Sequence, residues 1–511
     1  MQRPDAKLWW KAFCNEIQAI IDNETWTLTD LPPGHKVIQT KWVLRLKVDA
    51  RNNPEKYKAR IVAKGYCQVA GINYDETYAP VVRIESVRVI IAIAAGKDYF
   101  ILHIDCKNAF LNGLSDAEIY VTQPEGFEDP HYPQKVLRLN KSLYGLKQAP
   151  RIWYLLLSEV IIGLRFLPLE TDTCIYVKDN VTIAVIVDDI LVTRPKSSCY
   201  KFYNDLSKHF LVEDKGEVTS FLGINIERRN NSISINQPGL IDRILTKFNM
   251  VNATTSKTPL EPQVYLPKAS DDNKMGDFCD PEYALLYQEL IGALNHLAIF
   301  TRPDLSYAVS MLAQFNSNPL KIHWKAALRV LRYLKLTRNF CITYRRGRII
   351  IIGFSDADSG SNPIDRISMT GYVFMVNGGA VSWTSHKQTT VALSTMEAEY
   401  MALSDASRES IARSQFFTEL DIFPPSTPIT IYSDNQSALE ITENPKNYRK
   451  AKHIDIRYHA IRHYILEGKV EVDYIPTDEQ TADILTKPLG PTKHQRCLEL
   501  LNMMNMESVK D

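Results

Sequence analysis

Val181-Thr-Ile-Ala-Val-Ile-Val187 runs straight into Asp188-Asp189, and apolar character resumes at Ile190. An apolar, β-branched run of this length predicts a buried strand. Asp179-Asn180 just before it predicts a hairpin turn back to a partner strand over 175–177. A strand that delivers two adjacent carboxylates is unusual, because an unpaired buried carboxylate is costly and neighbouring carboxylates repel. The pattern occurs twice, since Ile101-Leu-His-Ile104 delivers Asp105. Such a density of oxygen ligands suits Mg²⁺, with Mn²⁺ as its substitute. Two such ions can activate an attacking hydroxyl and stabilise a leaving group in phosphoryl transfer. Taken alone, the doublet reads first as a hairpin turn and Asp105 as a helix cap.

Outward from this hairpin, helical spacing predicts helices over 7–22, 85–96 and 151–162, and strands over 36–48 and 57–63 with a turn at Asn52-Asn53-Pro54. Residues 252–280, rich in Thr, Pro, Ser, Lys and Asp, predict a linker, followed by helices from about 282 to 336. From 349 the pattern becomes strands (348–354, 371–376, 380–384), a long helix (395–421), a strand (429–432), a basic helix (453–467), a strand (470–475) and a last helix. That succession is an α/β layer arrangement.

The chain of 511 residues is 45% hydrophobic and 23% charged, with a formal net charge of +1. This excludes a disordered chain, a collagen-like repeat and a small disulfide scaffold, and global charge says nothing about partners. No two of the eight cysteines share a C-x-x-C spacing, which excludes that class of zinc or redox motif and fits a reducing compartment. Neither a signal core nor an apolar stretch of membrane-spanning length is expected. Basic character is local: Lys321, Lys325, Arg329, Arg332 and Lys335 recur every three or four residues, a one-sided stripe suited to a phosphate backbone or to solvent.

Asp105-Cys-Lys-Asn-Ala-Phe-Leu-Asn-Gly113, Ser142-Leu-Tyr-Gly-Leu-Lys-Gln-Ala-Pro-Arg-Ile-Trp-Tyr154 and Val187-Asp-Asp189 closely resemble motifs A, B and C of a reverse transcriptase of the copia-like LTR retrotransposon type. Lys41-Trp-Val43, Tyr57-Lys-Ala-Arg-Ile-Val-Ala-Lys-Gly65, Tyr78-Ala-Pro-Val-Val82 and Phe221-Leu-Gly-Ile-Asn-Ile226 match further segments of that family. The resemblance runs from about residue 8 to 490. It implies a right-hand polymerase of fingers, palm and thumb, α/β and α+β, followed by a ribonuclease H-like α/β domain. The implied divisions are 8–251 (fingers, palm and start of thumb), 252–348 (linker and helical thumb or connection), 349–490 (ribonuclease H-like) and 491–511 (tail).

Carried onto this sequence, the resemblance makes Asp105, Asp188 and Asp189 the polymerase metal ligands. It places Phe110 beside the ribose 2′ position, Lys58, Arg60 and Lys64 towards the incoming triphosphate, and Lys147 and Gln148 along the nucleotide or template site. Phe110 reads equally as core, and the three basic residues as a solvated strand face. In the second domain, Gly353-Phe-Ser-Asp-Ala-Asp358, Ser394-Thr-Met-Glu-Ala-Glu-Tyr400, Tyr432-Ser-Asp-Asn-Gln-Ser-Ala438 and Thr481-Ala-Asp-Ile-Leu-Thr-Lys-Pro488 resemble ribonuclease H. The ligands there would be Asp356, Glu399 (rather than Glu397, a helix-start charge), Asp434 and Asp483, around two Mg²⁺ ions. His453, His459 and His463 read as a solvated basic helix, and no catalytic histidine is expected.

The implied partners are an RNA template, a DNA primer, the RNA–DNA hybrid and deoxynucleoside triphosphates, with no membrane. The implied setting is intracellular, in a cytoplasmic virus-like particle or the nucleus. Two departures stand out: the family's Tyr-Val-Asp-Asp is Ile186-Val-Asp-Asp189 here, and Ser359 replaces a usual Trp. Two readings follow, an active polymerase–ribonuclease H and a non-catalytic, nucleic-acid-binding remnant of a decayed element.

Overall fold

The computed structural model describes residues 5–48, 54–262, 264–269, 277, 280–360, 365–443 and 460–509. It is a mixed α/β protein of two compact units, one comprising 1–82 and 101–217, the other 83–100 and 218–511. This partition is coarser than the four divisions expected from sequence and cuts the chain at different places.

The first unit is built on a six-stranded sheet in the order Val212–Glu217, Phe100–Cys106, Asp189–Arg194, Val181–Ile186, Ile175–Lys178, Leu167–Pro168. The strand Val181–Ile186 is buried along its whole length, as its unbroken apolar run requires. Asp179 and Asn180 both take positive φ, the conformation of a tight hairpin turn that Asp and Asn tolerate. A second hairpin, Thr40–Val48 with Pro54–Ala63, alternates so that Ala59, Ile61 and Ala63 are buried while Lys58 and Arg60 point the other way. The turn residues Asn52 and Asn53 lie outside the described residues. Helix Ala6–Asp22 packs on this hairpin: Phe13 contacts the Trp42 ring and Trp9 the Tyr57 ring, both edge-on.

The second unit holds two five-stranded sheets. One runs Ser220–Phe221, Ile224–Arg229, Ser232–Asn236, Phe340–Arg345, Met503–Asn505, antiparallel throughout. The other runs Gly379–Lys387, Met369–Val376, Ile351–Ala357, Ile429–Ser433, Val470–Tyr474, a meander of three strands continued by two parallel ones. Helix Thr395–Glu419 packs across that sheet. Helices Pro281–Phe300, Ser306–Ala313 and Lys321–Leu336 form a separate apolar core with Pro238–Lys247. Helix Ile84–Lys97 is buried within this unit from Ser86 to Gly96; its Arg88 guanidinium donates to the carbonyls of Val381, Ile299 and Phe300.

Three expectations change. The stretch 252–262, read as linker, is packed: Thr258 and Leu260 are buried, and Glu261 pairs with Arg329. Residues 491–509, read as a tail, form helix Pro491–Leu500 and the edge strand Met503–Asn505. Asp483, expected on the last helix, lies on a short 3-10 turn, Thr481–Leu485, because Pro488 disfavours helical backbone just beyond it. The helix expected over 453–467 is described only at Ala460–Leu466, so His453 and His459 lie outside the described residues, while His463 pairs with Glu467 on the exposed surface.

Candidate functional site

In the first unit, strands Val181–Ile186 and Asp189–Arg194 pair so tightly that Ile186 faces Asp189, leaving Val187-Asp188 as a two-residue turn. Val187 takes φ +55, a strained conformation for a β-branched residue. Both turn carbonyls are held from outside: the Trp153 indole Nε1 donates to Val187 O at 2.6 Å, and the Cys106 amide donates to Asp188 O at 2.7 Å. Cys106 follows Asp105 directly, so that second bond ties the Asp105 strand to the Asp188 turn. Burial, reinforced by the charges of Asp189 and Asp105, raises the Asp188 pKa.

Each flanking carboxylate has a cationic or titratable neighbour. Lys107 Nζ lies 2.5 Å from Asp105 Oδ2 and also pairs with Glu213, while His103 Nε2 lies 2.8 Å from Asp189 Oδ1. Burial works against the Lys107 charge, but the Asp105 and Glu213 hydrogen bonds outweigh it and raise its pKa. Sequence reasoning missed both partners. Their signal was position, since His103 lies two residues before Asp105 on the same strand face and Lys107 two residues after it, just past the strand end. Ile186 is only 7% exposed, so the side chain that replaces the family's tyrosine is packed in the sheet and the turn pairing stays intact.

Arg60 stacks its guanidinium 4.5 Å from the Tyr144 ring centre, and Phe110 meets the same ring edge-on at 5.1 Å. Burial pushes the Tyr144 phenol up to about 12. Tyr144 is positioned by its own carbonyl, which accepts from the Ala63 amide. Next to it Gly145 sits at φ +89, where a Cβ would lie 2.3 Å from Ala63 O. Glu16 Oε1 accepts from the Ile61 amide beneath this group. Arg60 and Phe110 are therefore gathered on the Tyr144 ring, and the Asp188 charge acts on its phenol. Lys64 Nζ instead donates to Gln39, and Lys147 Nζ to the Tyr74 hydroxyl. Lys58 sits two residues before Arg60 on the same strand face. Gln148, expected along the nucleotide or template site, is fully buried, donates to Asn73 O and Asp116, and accepts from Gln68. These bonds tie it to the loop that carries Gln68 and Asn73.

In the second unit, Asp356 is the penultimate residue of the largely buried strand Ile351–Ala357, Glu399 projects from the first turns of helix Thr395–Glu419, and Asp434 follows strand Ile429–Ser433. One carboxylate oxygen of each lies within 4.8 Å of the others. Among the described residues the Asp105 trio does not converge this tightly. Burial raises the Asp356 pKa to about 6, with Asp483 and Asp434 adding to it against Lys487. Glu399 is raised well above the usual carboxylate range, first by burial and then by Asp356 and Asp434. Glu397 faces away and closes the helix start: Ser394 Oγ accepts the Glu397 amide, and Glu397 Oε2 accepts from Leu393.

Asp483, the expected fourth ligand, stands apart from this trio. It is fully buried, with Lys487 Nζ 2.5 Å from Oδ1 and Lys493 paired to Oδ2. Lys487 also lies 3.4 Å from Asp356 Oδ2, which accepts the Thr486 hydroxyl. Three converging acids, with Lys487 reaching only Asp356 among them, fit a divalent ion, which Asp356, Glu399 and Asp434 would hold.

The basic stripe on helix Lys321–Leu336 is divided. Lys321, Lys325 and Arg332 are exposed. Arg329 reaches Glu261 and Thr258, and Lys335 donates to Ala253 O, so the packed 253–261 segment occupies those two. No helix among the described residues is long and apolar enough to cross a membrane.

The family model described as reverse transcriptase (RNA-dependent DNA polymerase) matches residues 23–262. The chain is 37% identical to the retrovirus-related Pol polyprotein from transposon TNT 1-94 of Nicotiana tabacum, over 98% of this chain and 38% of that protein. It is 37% identical to the retrovirus-related Pol polyprotein from transposon RE1 of Arabidopsis thaliana, over 95% of this chain and 33% of that one. A putative transposon Ty5-1 protein of Saccharomyces cerevisiae is 32% identical over 60% of this chain and 100% of its own length. The chain thus spans 38% and 33% of the two plant polyproteins it matches.

Proposed function

The chain belongs to the reverse transcriptase family of copia-type retrotransposon Pol polyproteins, and on that premise we propose that it is an RNA-directed DNA polymerase that also cuts the RNA strand of the hybrid it makes. The observation that carries the polymerase reading is the pinned Val187-Asp188 turn, which presents Asp188 and Asp189 beside Asp105 on neighbouring strands. Asp105, Asp188 and Asp189 would hold divalent metal, which supplies Lewis-acid activation of the primer hydroxyl and charge neutralisation at the phosphates. Arg60 contributes a fixed cation beside Tyr144 for a triphosphate, and Phe110 on the same ring limits the space open to a sugar. The substrates on this reading are a primed RNA template and deoxynucleoside triphosphates. Lys58, Lys64 and Lys147 extend the basic lining, and the fingers, palm and thumb arrangement with a following ribonuclease H-like domain is the architecture that serves it.

The hydrolytic reading is carried by the convergence of Asp356, Glu399 and Asp434 on a meander-plus-parallel sheet. Choice of the RNA strand rests on the ribose 2′-OH. Extension of a DNA primer on an RNA template with Mg²⁺ tests the first reading, and release of fragments from a labelled hybrid tests the second. An inert chain in both assays with Mg²⁺ and with Mn²⁺ would leave the non-catalytic, nucleic-acid-binding remnant.

A further inference from the structure

We propose that the hydrolytic centre of this chain is built for one divalent ion and one lysine, with the Lys487 ammonium standing where a second ion would otherwise bind. The proposal rests on the hydrolytic reading of the Asp356, Glu399 and Asp434 group and changes its expected metal content.

The geometry separates the four acids into two kinds. Asp356, Glu399 and Asp434 converge within 4.8 Å, with no lysine or arginine paired to Glu399 or Asp434 among the described residues. Asp483 is different, because both of its oxygens face ammonium groups, Lys487 at 2.5 Å and Lys493 on the other side. Lys487 bridges the two kinds, since its Nζ is also 3.4 Å from Asp356 Oδ2. A second cation shared between Asp356 and Asp483 would have to displace that ammonium.

Charge points the same way. Lys487 and Lys493 already bring two ammonium groups to this set of acids, of which Asp356, Glu399 and Asp483 are buried and Asp434 is partly exposed. A second ion shared between Asp356 and Asp483 would sit directly against the Lys487 ammonium, and like charges at that range repel. The chain also fixes Lys487 in place. It lies four residues after Asp483, just beyond a 3-10 turn, and the adjacent Thr486 hydroxyl is anchored on Asp356. Lysine suits the position because its ammonium is a compact point charge with three donors, able to face two carboxylates and a phosphate oxygen together.

The test counts ions. The full chain carrying Asp188→Asn and Asp189→Asn, to remove binding at the other carboxylate set, is titrated with Mn²⁺ and bound metal is read by electron paramagnetic resonance and calorimetry. One ion that disappears on adding Asp434→Asn is expected. Lys487→Gln should raise the count to two, with a Mn–Mn coupling in the spectrum, while Lys487→Arg should keep it at one. Two ions before any change at Lys487, or a count that stays at one in a folded Lys487→Gln, would overturn the proposal and leave Lys487 as a counter-ion to Asp483. The count on the unsubstituted centre decides even if Lys487→Gln fails to fold. Absence of any ion dependent on Asp434 would instead remove the hydrolytic reading, and the proposal with it.

Discussion

The indole of Trp153 donates its one hydrogen bond to the carbonyl of Val187, the strained residue of the Asp188 turn. Trp153 is 1% exposed and packs edge-on against Phe210, so the donor cannot turn to solvent. Trp153→Phe keeps most of the packing but orphans a carbonyl, at a cost of about 1–3 kcal/mol. The turn then relaxes towards a less strained conformation and shifts the carboxylates. We predict a fall of roughly tenfold to a hundredfold in single-turnover primer extension, with little change in nucleotide KM. An unchanged rate in a folded variant would show that the turn holds itself.

The two carboxylate sets belong to separate compact units. Asp188→Asn should therefore stop DNA synthesis and leave hybrid cleavage, and Asp434→Asn should do the reverse. Loss of both activities from either change, in a protein with an unaltered melting curve, would refute two independent centres.

Phe110 and Arg60 share the Tyr144 ring. If that arrangement borders the sugar of an incoming nucleotide, Phe110→Ala should raise ribonucleotide incorporation relative to deoxyribonucleotide while leaving metal dependence unchanged. The ratio of the two kcat/KM values is the measurement, and a ratio equal to that of the parent would return Phe110 to a purely packing role.

Much of this was legible because strand and turn chemistry are local. Val181–Ile186 and Asp179-Asn180 announce their hairpin in composition alone, and Glu397, read as a helix-start charge, lies in the first turn of its helix beside the Ser394 cap. What was not legible depends on side chains meeting across the chain. Nothing local shows that Gln148 turns inward to Asn73, 75 positions away, or that Lys493 reaches Asp483. Composition made 252–262 look like a linker, yet Leu260 is buried and Glu261 holds Arg329.

His323 supplies a pH test of the helical core in the second unit. Its Nδ1 accepts the Leu320 amide and its Nε2 lies 3.0 Å from Pro267 O, so the ring is neutral with its proton on Nε2. Burial lowers its pKa to about 4. The folded value lies below the unfolded one, so the unfolded chain takes up the proton first. Stability is therefore full above about pH 6.5 and declines as pH falls to about 4, by up to about 3 kcal/mol. His494, also held to about 4 by burial, adds a second loss over the same window. His323→Gln places at the third helical position a residue that can accept the same amide without titrating. Melting temperatures from pH 7 to pH 4 should fall less steeply in the variant, with stability at pH 7 nearly kept. Parallel curves for variant and parent would show that His323 does not titrate in this range.

The divided basic stripe gives the last prediction. If helix Lys321–Leu336 tracks a duplex, its phosphate contacts come from the residues with free reach, Lys321, Lys325 and Arg332. Arg329 is 2.5 Å from Glu261 and Lys335 is bonded to Ala253, so these two secure the 253–261 segment instead. A phosphate contact releases counterions on binding, and each one lost flattens the salt dependence of affinity by about one unit of logarithmic slope. Lys325→Gln with Arg332→Gln should thus weaken hybrid binding and lower the slope by about two. Arg329→Gln removes a partly exposed ion pair, which at such sites contributes at most about 1 kcal/mol, and should lower the melting temperature slightly with the slope little changed. Binding of a labelled hybrid across a series of KCl concentrations reads both quantities. A slope unaltered by the Lys325 and Arg332 pair would make the stripe a solvated surface, and a slope altered chiefly by Arg329 would mean that nucleic acid displaces Glu261 from the helix.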